Sequence, residues 1–383
     1  MSSKIKRSYI REILDVIDDD YISFAGGLPN EELFPKKQIQ EATVKALENT
    51  KSLQYSSSYG LETLRKKIAS FYCDKLDFPT NEEEILITSG SQQAFDIILK
   101  AIDTKIIVEE PSYLGALASF RVLNKKINSF SKISSLNALL DNKSCLYLIS
   151  DFQNPSTSSY NCTQRQVLSK MINKNCSFLI EDGAYTFLDF ENNFKTPISK
   201  NVEKSFHLGS FSKIVAPGLR VGWIRAKKSL IDKLLFIKES LDLHTATLNQ
   251  MIFDEYLNRN NLFEHIEFIN ANYQEKMNFM ADCLVKYIPS FKFERPKGGM
   301  FIYGKLNCDT MNLANIALKQ KLAIVPAEVF YLNKKSNEIR LNFTNSTYGE
   351  IEDGIKILAN ILKEIKKEKR SIFLTIFDSL KAG

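Results

Sequence analysis

At 383 residues the chain has room for one large domain and a smaller companion, and a composition of 44% hydrophobic and 25% charged residues excludes a disordered chain. The formal net charge of +6 is modest and the basic residues are interspersed with acidic ones, which argues against a nucleic-acid partner. No window approaches a membrane span, and the basic start Met-Ser-Ser-Lys-Ile-Lys-Arg is not followed by a long apolar core, so a cytoplasmic location without a membrane partner is expected.

Six cysteines, at 73, 145, 162, 176, 283 and 308, lack the paired spacing of a zinc site and read as reduced, mostly buried thiols. His207, His244 and His265 lie too far apart in sequence to propose a metal site.

In chain order, apolar residues at helical spacing from Ile5 through Tyr9, Ile10, Ile13, Leu14 and Ile17 predict a short amphipathic helix ending near the solvated run Asp18-Asp19-Asp20. Residues 22–35 follow, with Gly26 and Gly27 permitting a close backbone approach and prolines fixing the path of a loop. Residues 53–60 place Tyr55 in a loop that runs into an amphipathic helix start at 61–65.

From residue 84 the pattern changes to short apolar runs at 85–88, 106–109, 145–150, 178–181, 206–209 and 221–225. Between several of them lie helical stretches such as 92–102 and 164–172, an alternation that predicts an α/β fold with a largely parallel sheet covered by helices. Ligands bind such sheets outside the carboxyl ends of the strands. Residues 89–91, 151–154, 182–185 and 210–213 all fall there.

From about residue 268 a long helical pattern is followed by expected strands at 291–293, 298–302, 323–325 and 338–343, read as a smaller α+β domain. The expected division is an N-terminal segment 1–40 that joins the small domain and lines the pocket, a large domain 41–267 and a small domain 268–383. The tail carries a basic cluster at 363–370 and then an apolar patch at 371–377, expected to be a last helix docking its apolar side on the small domain.

The chemistry concentrates in residues 209–223, Gly-Ser-Phe-Ser-Lys-Ile-Val-Ala-Pro-Gly-Leu-Arg-Val-Gly-Trp. The amine of Lys213 can form a Schiff base with a carbonyl, while Ser210, Ser212 and Arg220 supply the donors a phosphate dianion needs. Gly90-Ser91-Gln92-Gln93 opens a helix directly after a strand, so its backbone N–H groups and the helix dipole favour an anion and complete a phosphate cup. Arg340, in Glu-Ile-Arg-Leu-Asn-Phe, lies on an expected strand among apolar neighbours, where a bidentate bond to a carboxylate would satisfy its guanidinium.

Residues 209–223 resemble the lysine segment of the class I/II aminotransferases, the fold-type I enzymes that use pyridoxal 5′-phosphate. Residues 22–35 are very similar to the N-terminal segment of the subgroup containing 2-aminoadipate, kynurenine and some aromatic aminotransferases, and the resemblance runs from Ile10 to about Leu362. It implies a mostly parallel sheet sandwiched by helices, a smaller α+β domain, and a homodimer with shared active sites. It assigns Lys213 to the cofactor aldehyde and to proton transfer, and Asp182 to the pyridine nitrogen, which a carboxylate keeps protonated. Tyr185 and Asn154 match the residues that hydrogen-bond the phenolate oxygen, Tyr113 the aromatic stacked on the ring, and Ser91, Gln92, Ser210 and Arg220 the phosphate site. Tyr55 matches a tyrosine that reaches the cofactor phosphate of the other subunit. Arg340 and Asn154, with Gly26 and Gly27, are implied on the substrate side, Arg340 at the carboxylate.

The expected function is therefore transfer of an amino group from an α-amino acid, aromatic or 2-aminoadipate-like, to a 2-oxo acid such as 2-oxoglutarate. A β-eliminating lyase or a decarboxylase would use nearly the same residues. A ligand-sensing module is the alternative from another class, since some bacterial regulators carry this domain behind a winged helix, whereas only a short helix is expected before it here. The chain departs from the family pattern at Asn154-Pro-Ser-Thr157, usually Asn-Pro-Thr-Gly, and at Ala327, commonly glycine. Both changes leave the chemical residues in place and weaken the transfer of substrate identity.

Overall fold

The computed structural model describes residues 9–18 and 20–381, with backbone alone described at residues 10, 11, 14 and 368–381. The chain forms two compact units, one of residues 29–274 with 296–299, the other of the segment ending at Leu28, residues 275–295 and the chain from Met300 onward. The passage from Gln274 to Glu275 falls inside the helix Leu262–Tyr287.

The first strand, β1 (Ile22–Ser23), belongs to the smaller unit. The larger unit holds β2 (Ile85–Thr88), β3 (Lys105–Glu109), β4 (Ile127–Phe130), β5 (Ser144–Leu148), β6 (Phe178–Asp182), β7 (Ser205–Ser210) and β8 (Gly222–Ala226) in one sheet, ordered β2-β8-β7-β6-β5-β3-β4. Only β8 opposes its neighbours, pairing antiparallel with both β2 and β7. Every residue of β2, β5, β7 and β8 is buried, so these strands are covered on both faces; β2 and β5 read as nearly unbroken apolar runs, whereas β7, Ser-Phe-His-Leu-Gly-Ser, also buries polar residues. The edge strand β4, Ile-Asn-Ser-Phe, is mostly half-buried and polar in its middle, which is why no strand was expected there.

Helices fill both faces. Helix Cys162–Lys174 begins with a reciprocal cap between Asn161 and Gln164 and lays Leu168 and Ile172 on Ile107, Leu146, Leu148 and Leu179. Tyr147, between Leu146 and Leu148, points to the opposite face, where its ring meets Phe95 and Phe120 edge-on at centroid distances of 5.6 and 5.5 Å.

The smaller unit adds β9 (Lys292–Phe293), β10 (Phe301–Lys305), β11 (Leu322–Ala323), β12 (Val325–Pro326) and β13 (Glu338–Asn342). An antiparallel sheet runs β12-β13-β10-β9, and β1 pairs in parallel with β11. The expected strand 323–325 is thus two short strands in different sheets, Ala323 pairing with Ser23 and Val325 with Arg340. The expected strand 298–302 starts only at Phe301, because Gly299 takes a left-handed φ of 76° that breaks the extended run.

The first helix is described over Tyr9–Leu14 and ends before Ile17, the last residue of its apolar pattern; Ile5 lies outside the described residues. Backbone of the last helix runs Tyr348–Lys381, and the apolar patch expected to dock lies outside the residues whose side chains are described. Only Cys145, Cys283 and Cys308 are buried, whereas Cys73, Cys162 and Cys176 are exposed, which corrects the expectation of mostly buried thiols. Cys162 opens its helix and Cys176 sits in the turn after it, positions that face outward whatever the neighbouring hydrophobicity. Among the described residues no helix is long and apolar enough to cross a membrane.

Candidate active site

The antiparallel strand organises the site. Because β8 runs against β2 and β7, its first residue, Gly222, pairs with Thr88 on one side and Ser210 on the other, at the carboxyl ends of both strands. Arg220 therefore emerges between the turn 89–91 and the turn 210–213. Its backbone takes a left-handed φ of 51°, and its Nη1 donates to Ser212 Oγ at 3.4 Å and Pro217 O at 3.2 Å. Its Nη2 donates to Ser89 O at 3.2 Å, closing a link between the two turns.

Each turn is held from within. Ser210 Oγ accepts from the Ser212 N–H at 3.1 Å and donates to Ser212 Oγ at 2.9 Å, so the short 3-10 turn Phe211–Lys213 is capped by its own sequence. Phe211 is fully buried, stacked on Phe253 at 4.2 Å, which anchors the turn while Lys213 stays half-buried. A Cβ at Gly209 would lie 2.2 Å from the Trp223 ring, so the strand before Lys213 requires glycine for close packing. On the other side, Gly90 precedes the helix Ser91–Ala101 and leaves the N–H groups of Ser91 and Gln92 at an end with no side-chain cap. The Gln92 side chain turns to Ser119, donating to its Oγ at 2.5 Å.

Asp182 ends β6 and is 3% exposed. Its carboxylate accepts from the Tyr147 O–H at 3.2 Å and the Ala184 N–H at 3.3 Å. Burial pushes its pKa up to about 6, opposed by those two bonds and by the charge of Lys213, which places the lysine within electrostatic reach of it. Asn154 and Tyr185 are both buried and meet directly, Asn154 Nδ2 donating to Tyr185 Oη at 3.3 Å. The peptide bonds Glu110–Pro111 and Asn154–Pro155 are cis, in the loops after β3 and β5. Tyr113, half-buried, folds back over Gly115, where a Cβ would lie 2.5 Å from its ring. Burial raises the pKa of Tyr147 strongly, and Asp182, Tyr113 and Tyr185 add to that rise, so the four groups share one neighbourhood.

The larger unit thus brings together Ser91, Gln92, Tyr113, Asn154, Asp182, Tyr185, Ser210, Ser212, Lys213 and Arg220. Tyr55, in the same unit, is 78% exposed and lies edge-on to His244 at 5.7 Å. Arg340, Gly26 and Gly27 belong to the smaller unit. Arg340 on β13 is 1% exposed, donates from Nη2 to Ala25 O at 2.5 Å, and carries its guanidinium over the rings of Phe301 and Phe330 at 4.2 and 5.1 Å. Gly27 lies against Phe301, and Gly26 lines a cavity of about 340 Å³ with Tyr21, Asn345 and Glu350.

Residues 20–358 match the sequence profile of the class I and II aminotransferases. The chain belongs to this family. It is an aminotransferase of fold type I whose cofactor is pyridoxal 5′-phosphate. It is 34% identical to aromatic-amino-acid aminotransferase 1 of Thermococcus litoralis over 95% of this chain and 93% of that one. Among solved structures it is similar to the α-aminoadipate aminotransferase of Thermus thermophilus in complex with N-(5′-phosphopyridoxyl)-L-leucine, at a TM-score of 0.86 and 32% identity, covering 95% of this chain and 96% of that one. It is equally similar to the kynurenine aminotransferase of Pyrococcus horikoshii, at a TM-score of 0.88 and 31% identity, covering 95% and 97%.

Tyr147 and Ser119 were not singled out in the sequence. Tyr147 sits inside an apolar run that reads as core; β5 pairs it with Ile180 on β6, and only the fold shows its hydroxyl reaching along that strand to Asp182.

Proposed function

We propose that this aminotransferase takes aromatic or 2-aminoadipate-like α-amino acids as donors and a 2-oxo acid such as 2-oxoglutarate as acceptor, with Lys213, Asp182 and Tyr185 as its catalytic residues. The donor class is supported by relatives whose names specify aromatic amino acids and 2-aminoadipate. The residue roles are supported by the convergence of the turns 89–91 and 210–213 on Arg220, with Lys213 in electrostatic reach of a buried Asp182.

The donor set fits the cofactor on its own chemistry. Arg220, the Ser210 and Ser212 hydroxyls and the N–H groups of Ser91 and Gln92 suit a phosphate. A carboxylate held up to about 6 by burial suits a cationic ring nitrogen, whose charge would return it to full ionisation. Asn154 and Tyr185 offer an N–H and an O–H to an anionic ring oxygen, and Tyr113 an aromatic face. When bound, pyridoxal 5′-phosphate supplies an electron-accepting ring that stabilises the pair left on the substrate α-carbon.

With pyridoxal 5′-phosphate held there, Lys213 Nζ would be the amine that meets its aldehyde and the base that takes the substrate α-proton. Arg340 binds the substrate carboxylate; its burial, with the guanidinium fixed over the Phe301 and Phe330 rings, supports a cation held in one orientation. Gly26 and Gly27 line the substrate side. A homodimer in which Tyr55 serves the other subunit is part of this reading, supported by the exposure of Tyr55 with neighbouring Leu53. A cytoplasmic location is also part of it, and six free cysteines fit a reducing compartment.

The test is an absorbance titration of the cofactor-loaded protein with single amino acids and no 2-oxo acid. The donor should bleach the visible band and release a stoichiometric 2-oxo acid. Release of ammonia with pyruvate instead would establish elimination, and a band unchanged by every amino acid would sink the transaminase reading of the site.

A further inference from the structure

Behind the turn 89–91 lies a buried charge that the proposed chemistry does not use. Lys238, one turn before the end of helix Lys228–Asp242, is 0% exposed. Its Nζ donates to Asp242 Oδ1 at 2.5 Å, Thr245 Oγ1 at 3.1 Å and Gln93 Oε1 at 3.2 Å, which uses all three ammonium donors. Burial pulls its pKa down, and the bond to Asp242 opposes that. Asp242 sits at a helix C-terminus, where a negative charge is unfavourable, and Lys238 offsets it.

The same network ends on the backbone of the turn. Gln93 Oε1 also accepts from the Ser89 N–H at 2.8 Å, and Gln93 Nε2 donates to Asp242 Oδ2 at 2.6 Å. One end of this amide meets only donors and the other only a carboxylate, so it has a single orientation. Thr245 Oγ1 donates to Ile87 O at 3.4 Å, on the strand that leads into Ser89. An apolar side chain at 238 could fill the space without desolvating a charge. What the ammonium adds is direction: it holds Asp242 and Gln93 where they fix Ser89.

We propose that Lys238 is a positioning residue for the phosphate-binding turn, acting through Asp242 and Gln93 to fix the Ser89 N–H and, with it, the path of Gly90 and Ser91 beside Arg220. This rests on the reading of that turn as the phosphate site. The ammonium bonds to Asp242, Thr245 and Gln93 rather than to residues 89–91, and so acts on the turn through them.

The experiment measures pyridoxal phosphate affinity by spectral titration, and melting temperature without cofactor, for wild type, Lys238→Met, Asp242→Asn and the double variant. Each single variant is expected to bind the cofactor about tenfold more weakly, the loss of one charge-assisted hydrogen bond. The cofactor-free melting temperature of Lys238→Met, which removes the buried charge, stays near that of wild type, whereas Asp242→Asn leaves the buried ammonium without its counter-charge and melts lower. The double variant should bind no more weakly than the singles, because both act through one network. Singles that bind as wild type does would overturn the proposal. So would an affinity loss in Lys238→Met matched by a collapse of its cofactor-free stability, which marks a merely structural lysine. Wild-type protein that takes up no pyridoxal phosphate would remove the phosphate-site reading itself, and this inference with it.

Discussion

Gly90 and Arg220 share one small volume: a Cβ on Gly90 would lie 2.6 Å from Arg220 Nη2. Gly90 also has φ 81° and ψ 174°, a combination that side chains resist at roughly 1–3 kcal/mol. Gly90→Ala therefore strains the turn and displaces the guanidinium from Ser89 O and Ser212 Oγ together. The expected result is a cofactor dissociation constant raised by at least about tenfold, read by spectral titration, with the folded protein retained. Unchanged affinity would mean that Arg220 does not hold the phosphate from this position.

Lys213→Ala removes both the amine that meets the aldehyde and the base that takes the α-proton. Turnover should fall by roughly 10⁴-fold or more, and the visible band of the loaded protein should disappear although phosphate-site binding persists. Because Phe211 and the Ser210 cap anchor the turn, the variant should melt close to wild type. Steady-state kinetics and a melting curve check both parts.

Much of this was legible because buried strands and helix starts leave strong local marks. The blocks around Ile87, Leu146 and Ile180 are apolar on both faces, the run at Leu208 is apolar on one, and their carboxyl ends pointed to one edge before any geometry was known. What local pattern could not carry was direction. Nothing in Val221 to Ala226 says that this strand runs backwards, yet only that reversal lets Gly222 face both Thr88 and Ser210 and so delivers Arg220 between the turns. Tyr147 and Lys238 escaped for a related reason, since a polar group inside an apolar run gains its meaning from a partner distant in sequence, Asp182 for one and Gln93 for the other. The split at Ala323 and Val325 was hidden as well, because partners in two sheets, not composition, end each strand.

Arg340→Lys keeps the charge but loses the planar fork and the stacking on Phe301 and Phe330. If Arg340 binds the carboxylate that donors and acceptors share, KM for both should rise by roughly ten- to a hundredfold, with the absorbance of the loaded protein unchanged. An effect on one substrate only would assign Arg340 to a side chain rather than to the common carboxylate.

Asp182 gives a prediction with a fixed sign. Without cofactor its pKa stands at about 6 against 3.8 for the free side chain, chiefly through burial. Between about pH 4 and pH 6 the folded protein holds this proton while the unfolded chain releases it, so stability falls as pH rises through the window and levels off above it. Two pKa units correspond to about 3 kcal/mol as an upper figure. Asn cannot ionise, so Asp182→Asn should escape the loss. Cofactor-free Asp182→Asn should therefore melt higher than cofactor-free wild type at pH 7, with the difference shrinking toward pH 4, while its cofactor affinity and turnover drop for want of a carboxylate at the ring nitrogen. Melting curves across pH decide it: a difference that does not change with pH would show that Asp182 is not the buried titrating group, whatever its effect on activity.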